Sequence, residues 1–335
     1  MAARLAAKLA WALGLLIVCL VNIWAAAALY FDLPADLAPG ILVAIFYLAS
    51  VVALLFSFRF TWLALGIAFA QFAAVALWWC SIKPPKNRNW QPDVAQTVWT
   101  ERNGDKITIH NLRNFDYRPG SPPQPQPRWE TKVVDLSDLQ GVDLFINFWG
   151  STLICHPIVS FQFGPTEHVA ISVETRMAEG QSYSTMRGFF KQFSLIYIVA
   201  DERDVVRVRT NYRHEQLYLY RTSIGPERAR AIFLDYLKTV DAMHQRPRFY
   251  NAVTSNCTTN VRTHTAATTS HPAPWDWRML VNGTVDELVY ERGGFASHLP
   301  FAELKEKSLI DASAQAADQA PDFSERIRAG LPSFD

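Results

Sequence analysis

Three uncharged apolar runs fill the first quarter of the chain, and they limit where the remainder can reside. The stretch "WALGLLIVCLVNIWAAAALYF", residues 11–31, carries no charge, and about 20 such residues suffice to cross a hydrocarbon core of roughly 30 Å. Further runs cover residues 41–58 and 61–82, with only Arg59 and Phe60 between them. Each is of spanning length, so residues 1–82 read as a membrane anchor of three transmembrane helices. Arg4 and Lys8 precede the first run and Arg59 separates the other two, whereas the loop 32–40 holds Asp32 and Asp36 and no basic residue. Basic residues favour the cytoplasmic side, which puts the N-terminus and Arg59 inside and everything beyond residue 82 outside. Lys83, Lys86 and Arg88 weigh against this orientation. A single bent segment over 41–82 would instead give two spans and a cytoplasmic domain.

Beyond the anchor the character of the sequence changes. Half of the 335 residues are apolar and the formal charge is only +1, so no basic stripe marks a nucleic-acid partner. Cys19 and Cys80 fall in apolar runs, and Cys155 and Cys257 lie in the polar part. No Cys-x-x-Cys or Cys/His ligand spacing occurs, which argues against a structural metal site. A single Cys155–Cys257 disulfide stays open for an exported domain. No metal and no organic cofactor is expected.

The coarse organisation is a linker over 83–105, a domain over 106–300 and a polar tail over 301–335. Aromatic and β-branched residues in partial alternation predict strands at 106–118, 142–149, 158–163, 168–176, 194–200, 204–210 and 216–222. The proline-rich stretch 119–129 reads as a loop. Pro226 and the helical spacing of Ala229, Ile232, Phe233, Tyr236, Leu237, Val240 and Met243 predict a helix over 226–244. A second helix is expected over 257–264, capped by Ser255 or Asn256. The fold class is therefore α+β, an antiparallel sheet with packed helices behind transmembrane helices. The segment "TSHPAPWDWRMLVNG", residues 269–283, reads either as a loop dipping into a membrane interface or as a covering loop on the core.

A cysteine in the first turn of a helix meets unpaired N–H groups and the positive end of the dipole. That setting favours a nucleophilic thiolate and can also stabilise an oxyanion. Cys257 is thus a candidate nucleophile, against the reading as a packed small residue. A base is also required. His168 opens a strand on whose one face stand His168, Ala170, Ser172 and Glu174, and it is the expected base, against a solvated histidine at a strand edge. His156, next to Cys155, is expected as core or support. Asn256, Tyr250 and Arg176 are supporting or substrate-binding candidates, and Glu174 is a candidate to orient the base.

From about residue 106 to 263 the chain resembles the Lnb N-terminal periplasmic domain family. The matching stretches are "NLRNFDYR", "GVDLFINFWG", "HPIVSFQFG", "HVAISVETR", "LIYIVADERDVVRVRTNYR" and "FYNAVTSNCTTNV". The order of histidine strand and then cysteine helix is also similar to the permuted papain-like superfamily, which includes NlpC-like peptidases. The resemblance implies a cysteine transacylase of the membrane's outer face, with Cys257 matching the nucleophile and His168 the base; Glu174 as a third member is read from its place on the strand face and not from the family. Its substrates would be membrane phospholipid or lipoprotein acyl esters, and its place the bacterial inner membrane with the catalytic domain on the periplasmic side. A cysteine peptidase or amidase of the cell wall and a non-catalytic membrane-tethered binding module are the alternatives.

Overall fold

The computed structural model describes residues 2–34, 37–59, 61–120, 123–164 and 166–334. Asp36 and Phe60, which entered the reading of the anchor, lie outside the described residues. The chain divides into two compact units, one of residues 1–85 with 183–193 and one of residues 86–182 with 194–335.

The first unit holds α1 (Ala2–Asp32), α2 (Gly40–Ser57) and α3 (Trp62–Ser81), all three long and apolar enough to cross a membrane. The chain breaks between α2 and α3, where Arg59 takes a positive φ of 46° and the Thr61 hydroxyl caps the start of α3. The run over 41–82 is therefore two helices and not one bent segment. Val18, Val51, Leu55, Ala64, Leu65 and Ala68 form the shared core. Asn22 is buried among these helices, where its amide donates to the Val18 and Ala68 carbonyls and accepts from Tyr47. This satisfies a polar group that lipid could not.

The second unit is built on an eight-stranded sheet. Its strands are β1 (Trp99–Asn103), β2 (Lys106–Arg113), β5 (Trp129–Asp135), β6 (Leu139–Phe148), β7 (Cys155–Phe163), β8 (Glu167–Arg176), β9 (Ser194–Ala200) and β10 (Gln216–Arg221). A separate two-stranded ribbon pairs β3 (Asp116–Arg118) with β4 (Gln124–Gln126) inside the proline-rich stretch read as loop, of which Ser121 and Pro122 lie outside the described residues. The order is β1-β2-β9-β8-β7-β6-β10, with β5 on β2, and every pairing is antiparallel except the single Arg113–Ala200 contact of β2 with β9. The linker region 83–105 contributes β1 and a short helical turn, Pro92–Val94, to this unit. Apart from α4 (Thr185–Gly188) of the first unit, the helices are α5 (Glu202–Arg207), α6 (Pro226–Gln245), α7 (Cys257–Ala267), α8 (Val285–Glu291), α9 (Phe301–Lys307), α10 (Asp311–Ala316) and α11 (Phe323–Arg326).

The two faces of the sheet are covered by different helices. Phe161 and Phe163 of β7 pack on Phe233 of α6, and Tyr197 of β9 donates to Asn260 of α7. On the other face Phe145, Ile158, Ala170, Ile196 and Ile198 join Val205, Ile310, Ala314, Phe323 and Ile327. Residues 301–334 are thus not a loose polar tail: α10 and α11 close the second face, and their apolar residues are core.

One segment read as a strand, 204–210, folds as α5 followed by a π-helical turn, Val208–Tyr212. Asp201 caps its start. Asp204 is fully buried, accepting from Arg113, the Phe115 N–H and Tyr117, a set that anchors one helical turn and has no counterpart in a strand's alternation.

Candidate active site

Cys257 is the first residue of α7, and the sequence before it fixes the helix start. Asn256 accepts from the Thr259 N–H at 2.9 Å, and Thr259 returns the bond by accepting from the Asn256 N–H at 2.9 Å. This reciprocal cap occupies one of the unpaired donors of the first turn and leaves those of Cys257 and Thr258 at the helix start. The Asn256 amide also donates to the Ala252 carbonyl, so the cap residue ties the Asn251–Ser255 turn to the helix. Tyr250 is buried just ahead of that turn.

The histidine brought to Cys257 is His156. It stands at the start of β7, opposite Glu174 when the Ile158–Ser172 register is continued. Its Nε2 lies 2.7 Å from the Ser172 hydroxyl and 3.1 Å from a Glu174 oxygen. Ser172 donates to the same Glu174 oxygen at 2.6 Å, and Arg209 donates to it at 3.0 Å. Burial by itself lowers the imidazole pKa, but the Glu174 charge, the hydrogen bond and charge of Cys257, and the bond to Glu174 outweigh it and raise it to about 9. Burial works against Glu174 in the same way, yet His156, Arg209 and Ser172 together hold its carboxyl well below the usual range. The result is a cysteine, an imidazole and a carboxylate in series, with Ser172 and Arg209 fixing the last member.

His168, the expected base, is elsewhere. It shares the strand face of Ser172 and Glu174 but stands four residues, ~13 Å, from Ser172 along β8. It is buried beside the charges of Glu202, Arg328 and Asp143, and that burial lowers its pKa. The body of α7 lies over the opposite face, where Tyr197, paired with Val173, meets Asn260 and His264. His168 is therefore not the partner of Cys257. Arg176 is also absent from the site: its guanidinium donates to the Val94 and Ala95 carbonyls and stacks over Trp90, which pins the Pro92–Val94 turn.

Three contributors escaped the sequence reading. Arg209 fell in the strand expected over 204–210; the π-helical turn that follows α5, a feature frequent at functional sites, aims it at Glu174. Ser172 was visible only as a face-mate of Glu174. Asn282 carried no signal at all. Its side chain accepts from the Cys155 N–H (2.9 Å) and donates to the Cys155 carbonyl (2.7 Å) and the Thr258 hydroxyl (2.6 Å), while its own carbonyl accepts from the Cys155 thiol. One residue thus joins the strand that bears His156 to the turn that bears Cys257. Gly283 lets this segment approach, since a Cβ there would come within 2.0 Å of the Thr152 carbonyl oxygen.

The two cysteines of the domain are chemically distinct. All four in the chain are free thiols. Cys155 is fully buried, and burial pushes its thiol well above the ordinary value, with the Cys257 charge adding to the shift. Cys257 is partly exposed. Beside it, a cavity of about 460 Å³ runs between α6, α7 and α8, lined by Thr258, Val261 and Leu288 over the strand residues Val142, Leu144 and Val159.

No curated protein and no solved structure matches the chain. Residues 125–283, a stretch that carries His156, Glu174 and Cys257, match the family model described as the Lnb N-terminal periplasmic domain.

Proposed function

We propose that the protein is a membrane-anchored, cysteine-dependent acyltransferase acting on lipid or lipoprotein acyl esters. The observation that carries this reading is the series Cys257–His156–Glu174 at the start of a capped helix, with the reactive thiol partly exposed and the imidazole buried and doubly held. The Cys257 sulfur attacks the ester carbonyl, and the C–O bond to the glyceryl oxygen breaks. The proton held by His156 passes to that leaving oxygen. An amine or hydroxyl then attacks the acyl-thioester, giving its proton to His156 and returning the sulfur. The N–H groups of Cys257 and Thr258 are the donors for the developing oxyanion. His156 lies before Cys257 in the chain, as in the permuted papain-like superfamily, and the domain would work on the periplasmic side of a bacterial inner membrane.

Two features favour acyl transfer over cell-wall peptide cleavage. Three helices of spanning character hold the domain at a bilayer, where ester donors are concentrated. The cavity that Thr258 helps to line has an apolar floor of Val142, Leu144 and Val159 suited to an acyl chain. The test is intact-mass analysis of the purified chain after incubation with diacyl lipids. An added acyl mass on wild type, absent from Cys257→Ala, is expected; an equal mass on both variants overturns the assignment.

A further inference from the structure

We propose that the three loops meeting at Cys257 form a surface that inserts into the lipid interface, so that the thiol meets its ester at the bilayer itself. The surface deepens the acyl-transfer reading and rests on it only for the identity of the substrate.

Among the described residues of the second unit, ten large apolar side chains are exposed, and only Val133 and Leu309 lie away from these loops. The other eight fall in residues 149–154, directly before Cys155 and His156, in the turn before Asn256, and in residues 275–281, directly before Asn282. Leu153 is 65% exposed, Trp275 59% and Trp277 61%, while Met279 between the exposed residues is buried, so the tryptophans of this segment point outward and its methionine packs inward. Monomeric soluble surfaces rarely gather apolar side chains in this way.

Bonds at the site show that the loops converge. The Gly283 N–H donates to the Leu153 carbonyl at 3.0 Å, and Asn282 holds both Cys155 and Thr258. The exposed residues therefore surround the catalytic helix start. Their charge content selects the occupant. Residues 149–155 and 251–257 carry no charged side chain, and the only two in 275–281, Asp276 and Arg278, pair with each other at 3.2 Å. An uncharged, tryptophan-bearing rim suits the headgroup–acyl boundary, where indole rings are favoured. The bilayer is always within reach, because the same chain carries three helices of spanning length.

The full chain, reconstituted in phosphatidylcholine vesicles containing a phosphatidylcholine with a diazirine in its acyl chain, is irradiated, digested and mapped by mass. Adducts are expected on residues 149–154 and 275–281 as well as on the three spans. The double variant Trp275→Ser/Trp277→Ser should lose the adducts of its own loop while keeping those of the spans, which report intact reconstitution. Adducts confined to the spans overturn the proposal and leave the loops to a protein partner. Cys257→Ala should label like wild type. Loop adducts without an acyl-thioester would therefore retain the surface and remove the chemistry, and an acyl-thioester without loop adducts would do the reverse.

Discussion

His156 separates the proposed chemistry from its nearest rival within the same sequence. Because it couples to Cys257 and bonds the Ser172–Glu174 pair, removing it should cost far more than removing His168. His156→Ala is expected to slow acylation of Cys257 by about 10²–10⁴-fold, whereas His168→Ala should act through stability alone, and single-turnover acylation rates compare the two. The raised pKa gives a second test. A group raised in the folded state contributes stability that is complete below its ordinary value of 6.5 and is lost as pH rises through about 9. Over that window the domain should become easier to unfold in wild type and less so in His156→Gln, as read by denaturant midpoints. The lowered Glu174 belongs to the same pair and is not counted again. The acylation rate should also fall above about pH 9, because the proton destined for the leaving oxygen is gone.

At the scale of elements, α7 and β7 matter through what joins them. Asn256→Ala removes the reciprocal cap and should cost about 1 kcal/mol, read as a lower denaturant midpoint. Asn282→Ala should do more, since it strands the Cys155 N–H and carbonyl and frees Thr258; a penalty of roughly 1–3 kcal/mol is expected for the unsatisfied groups. Its signature is a drop in acylation rate with lipid affinity unchanged, because the nucleophile loses its placement and the apolar cavity keeps its lining. Elements of this kind differ in how far the sequence reveals them. The spans, α6 and α7 were legible because apolar spacing and caps are local signals, and α7 was placed at Cys257 from its cap alone. The base was not. Periodicity placed His168 on the correct strand face but says nothing about where along the strand a helix begins, and only the β7–β8 register puts His156 opposite Glu174. The strand expected at 204–210 failed for a related reason: Val205, Val206 and Val208 satisfy either period, and the long-range bonds of Asp204 decide between them.

For the whole molecule, the C-terminal segment is part of the scaffold and not an appendage. Arg328, beyond α11, reaches across the second face to donate to Asp143 of β6 at 2.8 Å and to Glu202 of α5 at 2.6 Å, all three nearly or fully buried. Ser160 donates to the same Glu202, so one guanidinium ties the last helix to the sheet and to the start of the segment that delivers Arg209. Burial alone would raise the Glu202 pKa, but Arg328, then the His168 charge, hold it far below its ordinary 4.5. Such a lowered carboxyl contributes stability that is present above 4.5 and lost as pH falls. Burial instead pushes Asp143 up, against Arg328 and Arg221, which marks it as the member that depends most on its partners. Arg328→Ala leaves both carboxylates buried without their shared cation, and a loss of about 3–5 kcal/mol is expected. In detergent-solubilised full chain this should appear as early proteolysis of residues 301–334 at neutral pH, with the spans retained. The acid sensitivity below pH 4.5 should be blunted in the same variant, because the pairing that acid removes is already gone; an unchanged protease pattern at pH 7 would show that the apolar packing of Ile310, Phe323 and Ile327 holds the segment without the charges.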